Sequence, residues 1–523
     1  MRSPSAVLVA LALAAAPGAR AATIQVGPGD SYDKIEGAGP GDEVVIAPGT
    51  YAFRVHLTRA APADQPIVIR AQDPANPPVW NLAGTLVENA PGSYTAGDRG
   101  RGCWQISGGT NYHISGIVFT NCSTASHNSA GLRYYNGARG IVLRDCVFRQ
   151  NDNGLTGGTE DSEITVEHSE FDRNGNLQAP SSAPTHNIYV YAGTFTLRTS
   201  YVHDPVQGQN FHIRSRVGTL EYNWFARAHS YEGDLMTDDD GAGSAQSLLL
   251  RGNVIVQGAA PQNDSQIIAV YNDGDLDGLA LGVRLVHNTL VGNGGHAALV
   301  HLSNEDGTAM TAELSNNIIS GTTRPVLVET SAAATVTGTK NWLATGVAPG
   351  QLTDSVQSSA AGFANPGAMD FTLAPGSAAI GAASQEVTGL PDREYYRDEI
   401  EARMVRARAS ARDLGAFEST TTGAGIGPYG DPLPPAAGGG SGGGGGSGSG
   451  GGTGSGGTAG GGGSGSSSSS GCGTSGTAPA LALVLAVGAL ARSSRRGRRN
   501  PTPRRAILVE WPRPPSSTST ARC

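Results

Sequence analysis

The chain has 523 residues, 38% of them hydrophobic and 15% charged, with 76 glycines and a formal net charge of −8. Its arginines crowd toward the C-terminus, so the body is more acidic than the total, which excludes broad binding of nucleic acid or anionic membrane. Three of the 5 cysteines, Cys103, Cys122 and Cys146, lie in that body, with no zinc-ligand spacing. Cys103 and Cys122 can pair in an oxidising compartment, and Cys146 reads as a buried small residue.

Residues 1–21 combine Arg2, an apolar run over 6–16 and the small-x-small triplet Ala19-Arg20-Ala21. This is the pattern of a secretory signal peptide. The apolar run is shorter than the ~20 residues a membrane span needs.

The body then repeats one short phrase: a β-rich run, a small polar residue, any residue, and a large apolar residue. The copies are 115–119 SGIVF, 144–148 RDCVF, 167–171 EHSEF, 198–202 RTSYV, 221–225 EYNWF, 251–255 RGNVI, 286–290 VHNTL and 315–319 SNNII. Their closing residues lie 23 to 35 positions apart. Such a period predicts stacked coils, because a single coil cannot bury its own apolar face. The small polar position holds Cys146, Ser169, Ser200, Asn223, Asn253, Asn288 and Asn317. At the ~4.8 Å strand spacing these residues can form a hydrogen-bonded ladder. Residues 393–413, with charges at i,i+4 spacing, predict a helical insertion.

Between the phrases lies a second strand. Aligning these strands by their inward apolar residues places Ile188, Phe211, Leu235 and Ile268 inside. Three outward columns follow: Asn187, Asn210 and Asp234; Tyr189, His212 and Met236; Tyr191, Arg214, Asp238 and Tyr271. His186 and Arg216 sit at the edges. Tyrosines stack on sugar rings, and Arg214 can pair bidentately with a uronate carboxylate. Asp234, Asp238, Asp239 and Asp240 can hold Ca²⁺, which favours several oxygen ligands. Elimination from a uronan needs a neutralised carboxylate and a base. His212, Tyr189, Tyr191 and Arg214 are the candidates for catalysis; Asn187, Asn210, His186, Arg216 and Tyr271 are the candidates for binding substrate. Hydrolysis by paired carboxylates from Asp234 and Asp238 to Asp240 is an alternative, and non-catalytic carbohydrate binding or surface adhesion is another.

The phrases, the opening run 39–51 GPGDEVVIAPGTY, 66–70 PIVIR and the closing runs 370–373 DFTL, 377–380 SAAI and 413–418 DLGAFE resemble the pectate-lyase-like superfamily. The resemblance covers about 22–418 and implies an all-β, single-stranded right-handed parallel β-helix with a short N-terminal cap. Residues 212–215 with 222–225 are similar to the Lys-Ser and Asn-x-Phe stretch of chondroitinase-B-like and alginate lyases. On that match Arg214 stands where the family has its base lysine, and residues 232–238 replace the family's Arg-His run. The resemblance implies a uronic-acid polysaccharide as partner for a monomeric protein.

From 419 to 471 the chain becomes a Gly/Ser-rich linker, expected to be disordered. Residues 472–499 hold Cys472, an apolar stretch and an arginine cluster, and resemble the C-terminal sorting tails of myxobacterial surface proteins. That resemblance implies processing or anchoring at Cys472 by sorting machinery, and location at the cell surface or outer membrane. Residues 500–523 carry no assignment.

Overall fold

The structure is a computed structural model. It describes residues 21–432 except 94–100, 181–183, 238–244, 260–265, 272–279, 297, 304–308 and 330–332. All of them belong to a compact unit of residues 1–443. The expected signal peptide, the linker beyond 432, Cys472, the sorting tail and Asp238 to Asp240 lie outside the described residues.

Among the described residues three parallel sheets run along this unit, with 12, 12 and 10 strands. Each coil contributes one strand to each sheet in turn. In one coil, Ile141–Arg144 enters the first sheet, Val147–Arg149 the second and Leu155–Gly157 the third, before Glu163–Glu167 returns to the first. This is a right-handed parallel β-helix, the hand that parallel crossovers take. The helix Asp33–Glu36, with Ile35 buried, stands at its N-terminal end.

The repeated phrase marks one corner of every coil. Its closing residues Phe119, Phe148, Phe171, Val202, Phe225, Ile255, Leu290 and Ile319 are successive register partners in the second sheet. The column extends to Trp80 and Tyr51 at one end and Leu343 at the other. Phe119, Phe148 and Phe171 stack with ring centroids 4.9 and 4.7 Å apart. At the preceding corner one residue per coil, among them Asp145, His168, Tyr222 and His287, is left-handed, with φ between 48 and 56°. Each non-glycine residue held so costs ~1–2 kcal/mol.

The ladder offsets that cost. Asn223, Asn253, Asn288 and Asn317 each donate from Nδ2 to the next asparagine's Oδ1 at 2.9–3.0 Å, ending on Asn341. Each also donates to a backbone carbonyl. The ladder continues through Ser200 and Ser169: the backbone N–H of Cys146 donates to Ser169 Oγ, that of Ser169 to Ser200 Oγ and that of Ser200 to Asn223 Oδ1. Cys146 is buried, and burial pushes its thiol up to about 12. Cys103 and Cys122 form a buried disulfide with Cα atoms 5.8 Å apart.

The last coil strand is Val356–Ser358, and the chain then folds back along the outside of the second sheet. Trp224 meets Phe371, Tyr395 and Phe417 there, with ring centroids 5.7–6.3 Å apart. Asp370–Leu373, expected in a closing coil, instead pairs antiparallel with Phe363–Asn365, because Phe371 turns outward onto Trp224. The helix expected over 393–413 is also absent. Arg393–Tyr395 and Val405–Ala407 form an antiparallel hairpin around the 3-10 segment Arg397–Ala402. The charges pair across strands rather than along a helix face: Arg406 donates to the fully buried Glu394 at 2.7 Å. His168 fastens this segment, its ring nitrogens 2.6 Å from the Arg403 carbonyl and 3.1 Å from Asp431.

Candidate functional site

The third sheet has no such cover among the described residues. Its register pairs Tyr189 with His212 and Tyr191 with Arg214. It then pairs His212 with Asp234 and Met236 with Tyr271. Ile188, Phe211, Leu235 and Ile268 are fully buried, as the alternation requires. Two outward rows result. One carries Tyr189, His212 and Asp234; the other carries Tyr191, Arg214, Met236 and Tyr271.

Asp234 therefore stands one row from its expected place. The alignment by inward apolar residues set Leu235 opposite Phe211, but the true partner of Phe211 is Gly233. A Cβ at Gly233 would lie 1.9 Å from the Phe211 ring, so the inward position is left empty to admit that ring. The slip of two residues keeps every side chain on its face and moves it along the strand into the next row. It brings Asp234 against His212 and takes Met236 away from it.

The His212 Nδ1 lies 2.9 Å from Asp234 Oδ2, with both side chains largely buried. A carboxylate only accepts, so Nδ1 carries a proton, and in the neutral ring Nε2 is the lone-pair nitrogen. That Nε2 has no hydrogen-bond partner. Tyr189 stands edge-on to the His212 ring, centroids 4.6 Å apart, and Tyr191 is 5.9 Å from Tyr189. His186 is buried behind them, 4.9 Å from the His212 ring, and accepts the Gln209 N–H at Nδ1. Burial, then the neighbouring His212, hold its pKa well below the ordinary value. It supports the His212 ring from beneath and offers little surface to a ligand.

In the second row Arg214 donates from Nε to the Thr237 carbonyl at 3.2 Å. Gln246 gathers the carbonyls of Arg214, Ser215 and Met236 at 3.1–3.2 Å and so fixes the end of the strand. Arg216 lies just beyond, half-buried, with an unpartnered Nε. Tyr271 and Asp234 flank Tyr231, which sequence reasoning missed because it precedes the strand. Burial, with Asp234 and Tyr271 adding to it, pushes the Tyr231 phenol far above its usual pKa.

Asn187 and Asn210 do not face outward. They belong to a second interior ladder, Asn151 to Asn174 to Asn187 to Asn210, each Nδ2 donating to the next Oδ1 at 2.9 Å. Both precede their strands, at a corner where the chain still turns inward. The ladder ends as Asn210 donates to Glu232 at 2.6 Å. Glu232 is fully buried, and burial pushes its carboxyl up to about 8.

Of the expected Ca²⁺ ligands, Asp238 to Asp240 lie outside the described residues, and Asp234 pairs with His212. Another group, Asp172, His203 and Asp204 on the second sheet, has ligand atoms within 4.8 Å of one another. Arg173 pairs with Asp172 and Arg227 with Asp204, each at 2.6 Å, and Arg149 reaches Asp172 at 3.8 Å. Carboxylates already neutralised by guanidinium groups do not fit a divalent cation.

No family model and no curated protein matches the chain. Among solved structures it is similar to a pectate lyase, Pel9A, at 13% identity over 76% of this chain and 96% of that one, TM-score 0.45. It is similar to an alginate lyase from Paenibacillus sp. str. FPU-7 at 14% identity over 60% and 97%, TM-score 0.43. It is also similar to the catalytic unit of a GH87 alpha-1,3-glucanase from Streptomyces thermodiastaticus at 14% identity over 66% and 70%, TM-score 0.35. By the parallel register of its own three sheets, the chain is a right-handed parallel β-helix.

Proposed function

We propose that the protein cleaves a uronic-acid-containing polysaccharide by β-elimination on the third sheet, with His212 as base. The observation that carries this is the pairing of His212 Nδ1 with Asp234, which leaves a buried Nε2 without a hydrogen-bond partner beside Tyr189 and Tyr191. The Nε2 lone pair takes the proton from the carbon beside the uronate carboxylate. The electrons of that C–H bond form the new C=C bond as the C–O bond to the next sugar breaks. A hydroxyl of Tyr191 or Tyr189 supplies the proton for the departing oxygen. Arg214, in the neighbouring row, neutralises the carboxylate and so acidifies that carbon. Positioned proton transfer of this kind contributes ~10²–10⁴ in rate.

The signal-peptide-like residues 1–21 and the buried Cys103–Cys122 disulfide support secretion. Residues 419–499 support a tether that ends in processing at Cys472 on the cell surface.

The test is incubation with alginate, polygalacturonate and chondroitin, reading unsaturated products by ultraviolet absorbance. Ultraviolet-absorbing ends, lost in His212→Ala, are the expected result. Glycan binding with no product from any uronan would sink the lyase and leave a carbohydrate-binding β-helix. Saturated reducing ends would point to hydrolysis instead.

A further inference from the structure

The arginines of this β-helix fall into two groups. On the first sheet they meet carboxylates from neighbouring coils: Arg198 meets Glu167 at 2.5 Å, Arg284 meets Glu313 at 2.7 Å, and Arg251 meets Glu221. Arg133, in the third-sheet strand Ala130–Tyr135, meets none. Its register neighbours are Gln105 and Thr156, which carry no charge. The side chain is half-buried and, among the described residues, makes no hydrogen bond or ion pair; its Nε is buried without an acceptor. Beside it Gln105 donates to the Tyr135 hydroxyl at 2.5 Å, and its own Oε1 has no donor. A buried Nε–H without an acceptor, on a guanidinium without a counter-ion, is unfavourable unless something from outside supplies one.

Arg133 shares the row of the proposed base. Through Thr156 and Tyr189 the register leads to His212, three strands away. At ~4.8 Å per strand that is roughly 14 Å. We propose that Arg133 is a second anion-binding point, remote from the reacting bond, so that the ligand is a polyanionic glycan lying along the row and carrying uronate carboxylates at both places. This rests on the reading that the third-sheet face binds a glycan, and it adds a requirement for length and for charge at a distance. A neutral glycan would leave the Arg133 charge without a counter-ion, and a disaccharide at His212 would not reach it.

The test uses the full chain and uronate oligomers from the disaccharide to the octasaccharide, with carboxyl-reduced and sulfated octasaccharides alongside, titrated by calorimetry. Arg133→Gln should weaken octasaccharide binding about tenfold or more, the size of a lost charge-assisted bond. It should leave the disaccharide unchanged, and Arg133→Lys should restore part of the loss. Arg139→Gln, at an exposed arginine past the same strand, should have no effect. Unchanged melting temperatures in all variants exclude misfolding as the cause. If the wild type cleaves uronates but Arg133→Gln binds the octasaccharide equally well, this inference fails alone. If the wild type binds no anionic glycan, both readings fail. If only the sulfated octasaccharide depends on Arg133, the uronate assignment at this point is overturned.

Discussion

The second and third sheets are built by the same coils, yet their outer faces differ in kind. Outside the second sheet, Trp224, Val254 and Val256 are buried under Phe371, Tyr395 and Phe417. Outside the third, the same strand spacing sets half-buried Tyr189, His212 and Arg214 beside the buried Asp234, with no such aromatic cover among the described residues. The interior is satisfied in both cases by the stacked apolar column and the ladders. The outward positions are therefore free to serve packing, as they do on the second sheet, or the chemistry proposed for the third.

Changes on the two faces should separate cleanly. His212→Ala should lower elimination by a hundredfold or more, read as initial rate, with the unfolding midpoint unmoved. Asp234→Asn should cost less in rate and also spare the fold. On the other face, Trp224→Ala should destabilise by about 3–5 kcal/mol in denaturant titration without lowering the rate of the folded enzyme. A large rate loss from Trp224→Ala would break the contrast.

The interior should respond more weakly and affect both faces. Asn253→Ala removes the bonds to Leu220 and Asn288 and strands the groups it served. It should cost ~1–3 kcal/mol by the same titration. The smallest effect is a slope against pH. Glu232 has its pKa raised from 4.5 to about 8. Its contribution to stability is thus fully present below about pH 4.5 and is lost as pH rises toward about 8. Glu232→Gln should flatten that part of the slope relative to wild type. His186 and His287 act in the opposite sense, since burial lowers their pKa values. Their contribution is present above about 6.5 and is lost as pH falls below it. Both variants share those histidines, so the difference between them isolates Glu232.

The coils were legible in the sequence because the large residues that close each phrase and the asparagines before them leave a strong repeat. The outward face was legible less completely. Alternation has a period of two, so it fixes which face Asp234 takes but not which strand neighbour it meets. Gly233 hid the true register, since an empty inward position gives an alignment nothing to hold. Asn187 and Asn210 misled for a related reason: next to a strand, an asparagine that turns inward looks the same in sequence as one that points out. The covering hairpin could not be foreseen from charge spacing, because Glu394 and Arg406 are brought together by a reversal of the chain.

The left-handed corner before each ladder residue has one more consequence. It recurs with aspartate, histidine, threonine, tyrosine or glycine at the bend, so the corner tolerates many side chains while the backbone keeps one path. Variation in the length of a coil is then absorbed in the loops between corners, and each outward row keeps an even pitch however much those loops grow. A surface built this way can be altered one site at a time, because exchanging a single outward residue changes one point along a row and leaves the points on either side where they were.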